Sequence, residues 1–243
     1  MLNALLTIFF SFQTSAFINV EEVRREAGPG FVGKSSATIN GQKGNTDKFA
    51  IGLSTLNIYR EGANEILFLG DYNFSETFGP TDTNNGRAHV RYTLNPEDRF
   101  SYEFFVQSEF DQFKQIKSRD LAGVNLRQRL GKNETESFYA GYGTFYEYQA
   151  WSDNEVFQIP RANFYLTYVN QFNKCCSAFG IIYLQPSWLA LKDFRFELQA
   201  GTTAILTERL SLTAQISAET ETKRPVGVKP TDVTYTSGLM LKY

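Results

Sequence analysis

Residues 99–110 read RFSYEFFVQSEF, and their alternation decides the fold. Phe100, Tyr102, Phe104, Val106 and Phe110 fall on one side of an extended chain; Arg99, Ser101, Glu103, Gln107 and Glu109 fall on the other. Period two is the signature of a β-strand with one greasy and one wet face. The same division recurs outward from this stretch. Ala122, Val124, Leu126 and Leu130 oppose Arg119, Asn125, Arg127 and Arg129. Phe194, Phe196, Leu198 and Ala200 oppose Asp193, Arg195, Glu197 and Gln199. Leu210, Leu212, Ala214, Ile216 and Ala218 oppose Arg209, Thr213, Gln215, Glu219 and Glu221, and Val233, Tyr235, Leu239, Leu241 and Tyr243 oppose Asp232, Thr234, Thr236 and Lys242. None of these apolar faces carries a charge. A lipid-facing Arg or Lys near the bilayer middle costs about 2–4 kcal/mol, which removes charge from that face and leaves it free on the wet one.

Continued in phase, the pattern predicts strands over 31–41, 46–59, 64–75, 83–94, 99–111, 118–130, 136–150, 160–172, 175–185, 192–203, 207–221 and 231–243. The fold expected is all-β, a transmembrane antiparallel up-and-down β-barrel of about 12 strands. Composition agrees. The 243 residues include 22 Phe and 13 Tyr, yet mean hydropathy is −0.32. A formal charge of −2 and a pI near 5.6 leave no basic face for nucleic acid. No stretch after the N-terminus reaches the roughly 18 uncharged apolar residues of a membrane helix.

Residues 1–16 read as a signal peptide, with an apolar run from Leu2 to Phe12 and small residues Thr14, Ser15 and Ala16 before a cut at Phe17, although no Lys or Arg follows Met1 in the usual basic position. Residues 17–30 then form a periplasmic lead-in, either a short helix or a flexible stretch, and 31–243 the barrel. Links between strands sort into two sets. Arg60–Ala63, Asn95–Asp98, Gly131–Thr135, Asn173–Lys174 and Ala204–Leu206 are short; Ser75–Asp82, Trp151–Ile159, Pro186–Leu191 and Thr222–Pro230 are longer. Short periplasmic turns, longer outer loops and an even strand count place both chain ends in the periplasm. The expected location is the outer membrane of a Gram-negative bacterium, with outer-membrane lipids as surroundings. Leu239, Leu241 and Tyr243 form an alternating, aromatic-terminated end of the kind the barrel-assembly machinery recognises.

Several short segments carry a family likeness. Ile39-Asn40-Gly41 followed by Gly44-Asn45-Thr46-Asp47, the run Asn95 to Tyr102, and Asp111 to Arg119 followed by the glycine-containing strand Leu121 to Leu130 resemble the DUF481 family, which includes the salt-induced and YdiY-like outer membrane proteins. The resemblance implies an outer-membrane barrel and carries no catalytic residues or cofactor. The chain departs from it at Ile18 to Ala27 and at the paired cysteines.

The inward residues expected from phase are Glu65, Asp71, Arg87, His89, Arg91, Arg99, Glu103, Glu109, Arg119, Arg127, Arg129, Glu147, Arg161, Arg195, Glu197 and Glu219. Facing charges in a narrow lumen pair with one another, so an ion-paired, structural or narrow-pore barrel is the leading reading, with a small-solute channel as its alternative. An outer-membrane lipid hydrolase is disfavoured, because His89 is the single histidine, points inward and has no GxSxG partner. A soluble lipocalin-like binder would invert the two faces and closes with eight strands. No metal or cofactor is expected. Cys175 and Cys176, if both on a strand, point to opposite faces.

Overall fold

The computed structural model describes residues 24, 28–133, 135–173, 175–207 and 210–241. The expected signal peptide and Tyr243 lie outside them, as does most of the lead-in. Twelve strands follow one another: β1 Gly30–Gln42, β2 Lys48–Glu61, β3 Asn64–Thr77, β4 Thr81–Leu94, β5 Phe100–Asp111, β6 Ile116–Lys132, β7 Glu136–Trp151, β8 Val156–Asn173, β9 Cys176–Pro186, β10 Phe194–Ile205, β11 Leu210–Glu221 and β12 Thr231–Leu241. Each pairs antiparallel with its sequence neighbour in the order β1 to β12. Among the described residues no ladder joins β12 back to β1.

The alternation read from the sequence is obeyed, and it is inside-out relative to a soluble protein. On β5, Phe100, Tyr102, Phe104 and Val106 are 43–55% exposed, while Ser101, Glu103 and Phe105 are at most 8% exposed. Charges inside and aromatics outside remove the soluble lipocalin-like reading, which needs the reverse.

The sheet curls strongly. Five steps separate β6 from β11, about 24 Å across a flat sheet at the usual strand spacing. Yet Arg119 on β6 forms an ion pair with Glu221 at the end of β11, and Lys114 in the β5–β6 turn reaches Glu219 on β11 at 2.5 Å. Tyr165 on β8 likewise donates to Glu103 on β5 at 2.7 Å. The inner face is therefore a lumen, as an up-and-down barrel requires.

Links 62–63, 95–99, 133–135, 174–175 and 206–209 lie at the end where β1 begins and β12 finishes, here the terminal end. Links 43–47, 78–80, 112–115, 152–155, 187–193 and 222–230 lie at the other, the loop end. Two expected long links shrink. Residues 75–82 contract to a turn at 78–80, because the Asp82 carboxylate accepts hydrogen bonds from Ser75 and Thr77 and zips the two strands together. Trp151–Ile159 contracts to 152–155, where the Trp151 N–H donates to the Glu155 carbonyl at 2.9 Å and starts β8 early. The length contrast survives in 187–193 and 222–230.

Candidate functional site

The lumen is the candidate site. Odd and even strands bring their wet faces to it, so side chains far apart in sequence meet there. They gather into two charged clusters, one near each end.

At the loop end, Glu147 on β7 is fully buried and is held by three guanidinium groups. Arg161 Nε lies 2.5 Å from it and Arg119 Nε 3.5 Å, with Arg195 the third. Each arginine also reaches a further acid: Arg119 reaches Glu109 at 2.5 Å, Arg161 reaches Asp193 at 2.8 Å, and Arg195 reaches Glu221 at 3.0 Å. Arg87 pairs with Asp71 at 2.8 Å beside this network. Lys114 bridges across the mouth to Glu219. Burial works against its ammonium, but the Glu219 carboxylate outweighs that and holds its pKa above the ordinary lysine range.

At the terminal end the acids are Glu65 on β3 and Glu103 on β5, both fully buried. Arg60 Nη2 lies 2.6 Å from Glu65. Arg91 Nη1 lies 3.5 Å from Glu103, which also accepts from Tyr165 and from Asn125 at 3.4 Å. Arg127 stacks its guanidinium 3.5 Å over the Tyr139 ring. Arg24, which precedes the barrel strands, is seated in this cluster with 6% of its surface exposed. Its Nε lies 2.6 Å from Glu65, its Nη2 donates to Thr93 at 3.0 Å, and its Nη1 lies 3.5 Å from Glu103. Arg24 belongs to the expected lead-in, and its side chain is seated at the terminal end of the lumen.

A cavity of about 630 Å³ runs from the middle of the lumen to the loop end, where Asp82, Lys114 and Lys229 line it. Leu69, Phe105, Leu121 and Ile181 give it apolar patches; Gln107, Asn163, Gln185 and Gln199 give it amides. Glu197 and Glu219, opposite one another in the β10–β11 ladder, share its wall. His89 also lines it. Arg91 Nε donates to His89 Nε2 at 3.3 Å, so that nitrogen keeps its lone pair and Nδ1 is left to donate to Gln107 Oε1 at 2.9 Å. The ring stacks on Phe105. None of these three neighbours is a nucleophile, so the contacts of His89 describe a packed, hydrogen-bonded ring.

Packing fixes Tyr165. Its ring lies where a Cβ on residue 141 would be, 1.9 Å from Tyr165 Cε1, and only the absence of a side chain at Gly141 leaves room for it. That clearance lets the phenol reach Glu103.

Of the expected inward residues, the structure gathers Glu65, Asp71, Arg87, His89, Arg91, Glu103, Glu109, Arg119, Arg127, Glu147, Arg161, Arg195, Glu197 and Glu219. Two are corrected. Arg99 is exposed in the β4–β5 turn, one residue before β5 begins, with its guanidinium 5.7 Å from the Phe100 ring. Arg129 sits beside the Arg129/Gly131 register shift and turns to the rim, donating to the Glu97 carbonyl at 2.7 Å. Arg24, Arg60, Lys114, Asp193 and Glu221 were not among the residues expected in the lumen. Asp193 and Glu221 do lie on the polar face by phase; the other three sit in or next to links or before β1, where phase gives no direction. Leu239 and Leu241 pair with Leu212 and Leu210 in the β11–β12 ladder. Among the described residues no group of three or more His, Cys, Asp or Glu is arranged to hold a metal ion.

Comparison with known proteins places this geometry. A family model described as "Protein of unknown function, DUF481" matches residues 36–243. No curated protein matches the chain. Among solved structures, the NanC porin in a rhombohedral crystal form is similar at 10% identity over 87% of this chain and 99% of that one, with a TM-score of 0.50. A monoaromatic hydrocarbon channel, the TodX deltaS2S3 mutant, is 10% identical over 87% of this chain and 81% of that one, with a TM-score of 0.40. At that identity the likeness to the porin concerns the fold alone.

Proposed function

This chain belongs to the DUF481 family, and from that premise we propose that it is an integral β-barrel of a Gram-negative outer membrane whose lumen is held shut by ion pairs. It is a structural or narrow-pore protein and not an enzyme. The observation that carries this reading is the terminal-end cluster, where Arg24, Arg60 and Arg91 converge on Glu65 and Glu103, two acids without any exposed surface. Buried charges keep their place only when paired, and breaking such a pair costs more than leaving it closed. A lumen crossed by them resists hydration. The uncharged outer face of aromatics supports the membrane location, as does the porin-type fold.

Planar-bilayer recording on the purified barrel tests closure. The expected trace at moderate voltage is flat, and stable single-channel steps from the unaltered protein would overturn the closed-lumen reading. Fractionation tests the address: the protein is expected in outer-membrane fractions and in solution only with detergent. Recovery from the periplasm without detergent would sink it.

The cavity supports a second reading, a channel or binding site for small solutes. A volume of about 630 Å³ falls within the roughly 300–1,000 Å³ of small-molecule sites. The arginines and Lys114 around it already have acid partners, so its walls favour polar solutes of low net charge. Solute-dependent current fluctuations would support this reading over a purely structural role.

A further inference from the structure

The β8–β9 turn holds a feature that the lumen does not use. Asn173 pairs with Cys176 across a link of two residues, 174 and 175. The Cys175 N–H donates to Asn173 Oδ1 at 2.9 Å, a side-chain turn that holds Cys175 out of the ladder. Strand alternation therefore does not govern this pair. The two thiols, expected on opposite faces, converge instead, with the sulfurs 3.1 Å apart. Both are free and Cys175 is exposed. They are the chain's two cysteines.

We propose that Cys175 and Cys176 form a vicinal dithiol that is reversibly oxidised to a disulfide within the turn by a disulfide-bearing oxidant. As a physiological event this rests on the reading above, which puts the terminal end in the oxidising periplasm. The Cys175 thiolate, the more exposed, attacks one sulfur of the oxidant's disulfide and expels the other as a thiolate. The Cys176 thiolate then attacks Cys175 Sγ and releases the oxidant's second thiol. Two protein thiols give up two electrons and two protons, and the oxidant's disulfide becomes two thiols. The short sulfur–sulfur distance makes the second step intramolecular, so the mixed disulfide does not accumulate. Adjacent Cα atoms stand about 3.8 Å apart, below the usual span of a disulfide, so the bond is strained and easily reduced again. Zinc is the poorer occupant. A structural zinc site needs four ligands, and the turn offers two sulfurs, with no metal-binding cluster among the described residues.

The test uses the purified full chain refolded in detergent, equilibrated with oxidised and reduced glutathione, then tagged with a maleimide and weighed. Oxidised buffer is expected to abolish both tags, leaving a monomer lighter by two hydrogens and free of glutathione, and reduced buffer to restore both. Cys176→Ser is expected to hold one glutathione instead. Two tags persisting in oxidised buffer, a stable glutathione adduct on the unaltered chain, or a disulfide-linked dimer would each overturn the proposal. A heat-dependent gel shift reports separately on the barrel. Loss of that shifted band counts against the membrane reading, and free thiols in a sample that shows it count against the disulfide.

Discussion

Glu103 and Glu147 are both fully buried acids, one near each end of the lumen, and they are held in different ways. Glu147 is bound by arginines from β6, β8 and β10, all strands of the wall. Glu103 is paired with Arg91 on β4, a strand of the wall, and with Arg24, which comes from before β1. The loop-end cluster is therefore complete once the wall has formed. The terminal-end cluster is complete only when residue 24 is seated. One is a property of the sheet, the other of the sheet and an added side chain together.

The sharpest way to break this contrast is Glu147→Gln, which leaves three guanidinium groups around a neutral amide. A loss of about 3–5 kcal/mol is expected, read as the urea midpoint of unfolding from detergent. A loss near zero would mean that Glu221 and Asp193 hold the arginines unaided. Phe104→Arg, on the lipid face beside Glu103, is expected to cost about 2–4 kcal/mol and lower the yield of membrane-assembled protein. Should it prove silent, that face does not meet hydrocarbon.

Arg24→Ala is expected to be milder, about 1–3 kcal/mol, because Arg60 still pairs with Glu65 and Arg91 with Glu103. Its distinctive readout is conductance: stepwise current should appear here and stay absent in Glu147→Gln. The same flat trace in both would erase the difference between the two ends.

The smallest effect concerns the rim. Glu97 accepts a hydrogen bond from Lys132 at 2.8 Å, which holds its carboxyl below the ordinary carboxylate value, with Arg60 adding to the effect. A depressed folded pKa means stability present above the ordinary value and lost as pH falls through the folded one. Glu97 is 56% exposed, so screening keeps this under about 1 kcal/mol. Acid titration of stability in the unaltered chain and in Lys132→Ala checks it: the variant should lose less on acidification.

The strands were legible because period two is strict wherever one face meets lipid and the other water. The structure begins β5 at Phe100 and ends it at Asp111, nearly as the alternation alone places them. The partners of Glu103 were not legible. A ladder relates each strand only to its neighbours, while Tyr165 meets Glu103 from three strands away, and only because residue 141 lacks a side chain. Nor does phase say that the inward face is charged throughout. Leu56, Ile58, Leu67 and Leu69 form a buried apolar patch on β2 and β3, where a wet lumen was expected. Arg99 and Arg129 went astray for a local reason: both stand where the strand gives way to a turn or a register shift, and alternation stops giving direction.

Among the described residues every ladder joins strands adjacent in sequence, so the wall can grow hairpin by hairpin with little loop to close at each step. The bridges from Lys114 to Glu219 and from Arg119 to Glu221 are of another kind, spanning 105 and 102 residues. They cannot form until β11 has arrived. Their appearance would mark the end of assembly, and a nascent barrel halted before that hairpin would carry Arg119 with its Glu221 partner still missing.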